Sequence, residues 1–199
     1  GNHEFDEGVD ELLRMSFGGC HPIDGCQDST PFPGALFQYL AANVYFEGTS
    51  KTILPSHEIR QVGNTKIAFI GLTLEGTPTI VTPSGVAGLE FGDEVETVNA
   101  LVDSLDRGKS IGAFVILLHE GGQQNAPFAR GFADINRCEN LTGLIVDIAN
   151  RLDSRVDVVI SAHTHQPYIC TIGGKLVTSA ASFGRLVTDI DLYRMCIEA

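Results

Sequence analysis

The chain reads as an α/β protein with layered sheets of mixed strand direction, and three observations carry that reading. Lys66 to Leu72 (KIAFIGL), Ala113 to Leu118 (AFVILL) and Val156 to Ser161 (VDVVIS) are short apolar runs, rich in β-branched residues and bounded by Gly or polar segments. Such runs fit strands buried on both faces. Helix-period stripes lie between them, and two Gly-centred turns join other segments as hairpins, so the sheets are not purely parallel.

In chain order, Val9, Leu12 and Leu13 suggest a first helix close to the N-terminus. Glu58 to Val62 is joined through Gly63-Asn64 to the strand at Lys66, a two-residue hairpin signal. Thr73 to Gly92 carries Gly and Pro with little periodicity and is expected to be a long surface loop. Val95, Val98, Leu101, Val102 and Leu105 form one helical stripe, with Asp93 as N-cap and Gly108 as the stop. A second stripe, Leu141, Leu144, Ile145, Ile148, Ala149 and Leu152, predicts the helix before the strand at Val156. Tyr168 to Ile172, turning through Gly173-Gly174 into Lys175 to Ser179, reads as a second hairpin, and Leu186 to Leu192 as a further strand. No internal repeat, linker or second domain is evident.

The 199 residues, 43% hydrophobic, suffice for one domain with a substantial core. No run approaches the roughly 18 apolar residues of a membrane span, and no leader opens the sequence. Gly1 stands inside a motif, however, so a natural N-terminus further upstream is expected. The formal net charge of -12 disfavours nucleic-acid polymers, whose binding rests on Lys and Arg neutralising phosphates. A small phosphate ester stays compatible, because bound divalent cations dominate their local field. Five cysteines (Cys20, Cys26, Cys138, Cys170, Cys196) contain no Cys-x-x-Cys pair. Cys20 with Cys26, and Cys138 with Cys170, are open either to disulfide pairing or to reading as free thiols.

The chemistry concentrates in the histidines. His119 and His163 each follow a predicted strand, where open α/β sheets place ligands. His163 and His165 are two apart, so in an extended segment both rings project to one side and suit one metal or two adjacent ones. A single histidine is as often structural as ligating, but three at strand ends favour metal. In GNHEFD, Asn2 offers an amide oxygen to a hard or borderline cation. His3 and Asp6 are three apart, so in a helical turn the carboxylate can hold the imidazole charged, as a general acid requires. The plainer alternative makes Asp6 a cap for the first helix. His21 and His57 read as surface residues, and the acidic residues of 93–106 as a solvated helix face.

GNHEFD, HEGG (His119 to Gly122) and SAHTHQPY (Ser161 to Tyr168), in that order, resemble the later motifs of the calcineurin-like metallophosphoesterases, in their 5′-nucleotidase branch. TPSGVAGLEF (Thr82 to Phe91) and SFGRLVTDIDL (Ser182 to Leu192) are also similar to that branch, so the resemblance spans nearly the whole chain. It implies an α/β/β/α sandwich, with residues 1–199 a partial catalytic domain truncated before the Asn-His motif and its N-terminal strands missing. It implies two divalent cations, Zn, Mn, Fe or Co being indistinguishable, with Asn2, His119 and His163 on one and His165 on the other. His3 would contact the substrate phosphate together with Asn2 and assist the leaving group, with Asp6 orienting it.

The family's Asp-x-His and Gly-Asp motifs, which supply the other ligands, would stand upstream, so one site largely lacks its ligands here. The implied reaction is hydrolysis of a nucleotide or other phosphate ester by a metal-bridged hydroxide, of 5′-nucleotidase or 2′,3′-cyclic-nucleotide phosphodiesterase type, with this chain inactive alone. A sugar-nucleotide hydrolase would use the same residues. The alternative of another class is a degenerate, non-catalytic metal-binding or interaction domain. The resemblance also implies a periplasmic, secreted or cell-surface location and a C-terminal substrate domain in the parent protein. The tail Tyr193 to Ala199 departs from the family's continuation.

Overall fold

A computed structural model describes residues 1–26, 28–124 and 134–193. The elements in order are α1 (Val9–Phe17), β1 (Val44–Phe46), β2 (His57–Val62), β3 (Thr65–Leu72), β4 (Leu89–Phe91), α2 (Glu94–Lys109), β5 (Ile111–Leu118), β6 (Gln123–Gln124), β7 (Leu141–Thr142), α3 (Leu144–Arg151), β8 (Val156–Ser161), β9 (Pro167–Ile172) and β10 (Lys175–Ala180). Six strands form one mixed sheet in the order β2-β3-β5-β8-β10-β9. The four inner strands run parallel, and the two Gly-turn hairpins add β2 and β9 antiparallel at the edges. Gly173 and Gly174 both have positive φ (56° and 79°), the conformation a two-residue hairpin turn demands and Gly supplies without a Cβ clash.

The main core follows from the stripes. Val95, Val98, Val102 and Leu105 of α2 and Ile145, Ile148 and Ala149 of α3 are buried against Ala68, Ile70, Phe114, Ile116 and Val159 of the sheet. A smaller core gathers Phe5, Leu12, Val44, Ile53, Leu54 and Val86 around the two-stranded β1-β4 sheet. Asn43, fully buried, ties the two regions. Its amide donates to the carbonyls of Thr73 (2.7 Å) and Gly92 (2.9 Å), and its oxygen accepts from the Thr73 N–H (3.0 Å).

Four expectations change. The 73–92 segment is not a bare surface loop. It contains 3-10 turns at Thr77–Thr79 and Pro83–Val86 and the strand β4, and Thr77 and Val86 are buried. Leu186 to Leu192 is not a strand. Val187 is 92% exposed, and a side-chain contact from Thr188 to Thr178 (3.2 Å) stands where a backbone ladder would be. The α2 helix runs past Gly108, and Ser110 takes the left-handed cap (φ 50°) because β5 begins at the next residue. The α3 helix starts only at Leu144, after Leu141–Thr142 has paired with β6. Asp93 is the N-cap as expected, accepting from the Glu96 N–H at 2.7 Å.

Cys20 is bonded to Cys26 and Cys138 to Cys170. Cys196 lies outside the described residues. Among the described residues no helix is long and apolar enough to cross a membrane.

Arg155 joins α2 to the turn before β8, bonding Asp153 (2.7 Å), Asp106 (3.0 Å) and Asp103. Its guanidinium holds the Asp153 carboxyl down to about 2, below the ordinary 3.8. A depressed carboxyl contributes stability that is complete above the unfolded value and lost as pH falls through the folded one. The stability gap between wild type and Asp153→Asn in urea melts is therefore expected to close between about pH 4 and pH 2. A gap unchanged across that window would contradict the assignment.

Candidate active site

The sheet itself aligns the site. Leu72 of β3 pairs with Leu118 of β5, and Leu118 with Ser161 of β8, so three parallel strands end level. The chain leaving β5 enters His119, whose N–H donates to the Leu72 carbonyl (3.1 Å), and the chain leaving β8 enters Ala162 and His163. The His119 and His163 rings meet edge to face, with centroids 5.2 Å apart.

Asn2 arrives from the other end of the sequence. Residues Asn2–Phe5 form a 3-10 turn, anchored by Phe5, which is 1% exposed and packs edge-on against Phe91 at 5.2 Å. Gly85 clasps that turn from behind, where a Cβ would fall 2.0 Å from the Phe5 carbonyl oxygen. Asn2 is thereby buried, and its Oδ1 lies 2.9 Å from His119 Nε2 across 117 positions of sequence. Burial, above all, pushes the His119 imidazole down to about 4. His119 is thus a neutral nitrogen donor at physiological pH, the form in which imidazole binds metal.

His3 and Asp6 are paired as the spacing suggested, His3 Nδ1 to Asp6 Oδ2 at 2.8 Å. Asp6 does not cap α1, whose N-cap is Gly8 with no side-chain bond. His3 is open to solvent, at 81% exposure, while its pair fixes the ring.

The extended reading of His163 to His165 is not what the chain does. His163 and His165 both have positive φ (67° and 57°), and the Thr164 N–H bonds back to the Ala162 carbonyl at 2.8 Å. That closes a three-residue turn centred on His163, the rarer and strained γ-turn of positive φ. The bend places the His163 ring against His119, while the His165 ring faces Phe183 at 6.0 Å.

Asn2, His119 and His163 are therefore brought together, with His3 close enough to influence the His119 charge. His165 stands at the outer side, next to Phe183. Among the described residues no group of three or more His, Cys, Asp or Glu is gathered tightly enough to hold an ion. The donors that do converge are an amide oxygen and imidazoles. An amide oxygen and imidazole nitrogens are donor types that suit a borderline divalent ion. A cleft of about 300 Å³ beside them is lined by Gly1, Gln38, Gly71, Thr73, His119 and Ala162 among others.

Motif reading left several neighbours without a role. Phe183, 85% exposed at φ 62°, lies between His165 and the Arg185 guanidinium, which sits 5.2 Å over its ring. Ser161, Thr164 and Tyr168 hold the two histidine loops from below. Their only sequence signal is their place within SAHTHQPY. His21, whose Nδ1 accepts from the Asp24 N–H, and His57 in edge strand β2 are not among the residues gathered here.

No family model matches the chain. It is 34% identical over 192 residues to endonuclease YhcR of Bacillus subtilis, across 96% of this chain and 14% of that protein. It is 27% identical over 178 residues to a 5′-nucleotidase of Vibrio cholerae, across 89% of this chain and 27% of that one. The crystal structure of the calcineurin-like phosphoesterase YfkN from Bacillus subtilis superposes with a TM-score of 0.64 at 21% identity, covering 92% of this chain and 53% of that one, which is a likeness of fold. The chain thus spans less than a third of the length of either curated relative.

Proposed function

We propose that this chain, which belongs to the 5′-nucleotidase family of the calcineurin-like metallophosphoesterases, forms part of the catalytic site of a two-metal phosphoric ester hydrolase acting on nucleotides. The observation that carries the reading is the approach of Asn2 Oδ1 to His119 Nε2 at 2.9 Å with the His163 ring beside them, three neutral donors from remote parts of the chain at one sheet edge. Asn2, His119 and His163 would hold one divalent cation and His165 a second. The chemistry such cations supply is neutralisation of phosphoryl charge and a water made nucleophilic near neutral pH.

The chain's own residues then have distinct tasks. Asn2, buried and fixed by the Phe5 anchor, keeps its amide oxygen pointed at the His119 nitrogen. His3 faces the open side. With Nδ1 bonded to the Asp6 carboxylate, its Nε2–H is left to bond a phosphoryl oxygen and to pass a proton to the departing alkoxide. Asp6 fixes the orientation of the ring.

The ligands supplied by these 199 residues are three neutral donors for one cation and one for the other, a set that holds metal weakly without a bridging carboxylate. The polypeptide by itself is expected to hydrolyse neither AMP nor p-nitrophenyl phosphate. Joined to a segment carrying the family's Asp-x-His and Gly-Asp motifs, it is expected to gain metal-dependent activity that His119→Ala or His163→Ala removes. Robust metal-dependent turnover by the isolated 199 residues would contradict the ligand assignment.

The relative named as an endonuclease favours a second substrate class, the phosphodiesters of nucleic acids. The net charge of -12 argues for the small ester instead. Comparing AMP, a 2′,3′-cyclic nucleotide and a DNA oligonucleotide as substrates separates the two. The two disulfides fit an oxidising, extracytoplasmic compartment.

A further inference from the structure

Beneath the histidine loops runs a buried chain of hydrogen bonds whose direction is set by its carbonyl end. The Tyr168 hydroxyl is 2.6 Å from Ser161 Oγ, and Ser161 Oγ donates to the Thr178 carbonyl at 2.9 Å. A carbonyl only accepts, and a hydroxyl has one proton to give. The order is therefore Tyr168 Oη–H to Ser161 Oγ–H to Thr178 C=O.

Tyr168, Ser161 and Thr178 are 0%, 4% and 1% exposed, so water cannot replace a missing member. A second link lies above this one: Thr164 Oγ1 donates to the Gly122 carbonyl at 2.7 Å. Gly122 is thus held through its C=O by the residue that lies between the two histidines. The glycines make the approach possible, since a Cβ on Gly121 would stand 2.2 Å from the Ala162 carbonyl oxygen and 2.6 Å from Thr164 Oγ1.

We infer that Thr164 and Tyr168 are positioning residues for the candidate metal site, Thr164 locking the His119 loop to the strained turn that carries His163 and Tyr168 holding Ser161 at the strand end beneath that turn. The strained φ of His163 persists only where its surroundings over-determine it. The structure supplies that constraint: Thr164, the residue between the two histidines, is bonded through its N–H to Ala162 and through its hydroxyl to Gly122. Released from Gly122, the turn relaxes toward ordinary backbone and carries the His163 ring away from His119. The inference rests on the metal reading above and adds residues that touch no ligand.

The test joins the chain to a segment carrying the family's Asp-x-His and Gly-Asp motifs, titrates that protein with Co²⁺ and follows its visible absorption, alongside thermal melts. Tyr168→Phe and Thr164→Val are each expected to raise the Co²⁺ dissociation constant by about 10- to 100-fold, the usual effect of losing an outer-shell partner. Thr164→Ser, which keeps the hydroxyl, is expected to restore affinity to about the wild-type level. Variants that melt earlier but bind Co²⁺ as wild type does would overturn the inference and leave the metal site standing. A wild-type protein with no saturable Co²⁺ binding would overturn the metal reading and this inference with it.

Discussion

Replacing His3 by Gln, in a form of the protein with its full ligand set, is expected to lower kcat for a nucleoside monophosphate by about 10² to 10⁴, the range for a well-placed general acid. Metal content should be unchanged, because His3 is the exposed partner of Asp6 and not one of the converging donors. The loss should depend on the leaving group. An alkoxide needs a proton as the P–O bond breaks, whereas p-nitrophenolate, a much weaker base, departs nearly as well without one. AMP turnover should therefore fall far more than p-nitrophenyl phosphate turnover. Asp6→Asn should follow the same pattern more weakly, since it leaves the imidazole in place but removes the carboxylate that orients it. Equal losses on both substrates would show that His3 binds the phosphoryl group without protonating the leaving oxygen.

Phe5→Ala is expected to cost about 3 to 5 kcal/mol of folding stability, read from urea unfolding, as do other large-to-small changes at fully packed aromatic sites. Phe5 is 1% exposed, sits in the smaller core with Val44, Leu54 and Val86, and meets Phe91 edge-on. The same substitution should damage the site at a distance. Asn2 lies three residues before Phe5 in one 3-10 turn, so a turn without its anchor cannot hold Oδ1 at 2.9 Å from His119. Co²⁺ affinity should fall together with stability in this variant, whereas a surface change in α1 such as Asp10→Asn should move neither. Unchanged Co²⁺ affinity in a folded Phe5→Ala protein would separate the anchor from the metal site.

Both effects pass through links that are invisible in the chain's linear order. Phe5 acts by filling a core assembled from residues 5 to 91, and His3 acts through a partner three residues away whose geometry depends on a local turn. The second was legible from spacing, because a short helical turn brings positions three apart together whatever surrounds it. The first was not, since nothing in GNHEFD shows which distant residues receive the phenyl ring.

The amino-acid sequence by itself determined the three buried parallel strands, both Gly-turn hairpins, the Asp93 cap and the identity of every candidate ligand. Each of these follows from side-chain periodicity, turn stereochemistry or residue type within a few positions. Tertiary structure decided the rest. It paired the cysteines, folded 73–92 into a strand and two turns, left Leu186 to Leu192 without a ladder, and bent the His163 segment that alternation alone would have kept extended. It also joined Tyr168, Ser161 and Thr178 into one buried chain. The division has one cause: a local pattern reports what a segment prefers in water. Strain at His163 and the convergence of Asn2 with His119 exist only because contacts across the whole fold outweigh that preference.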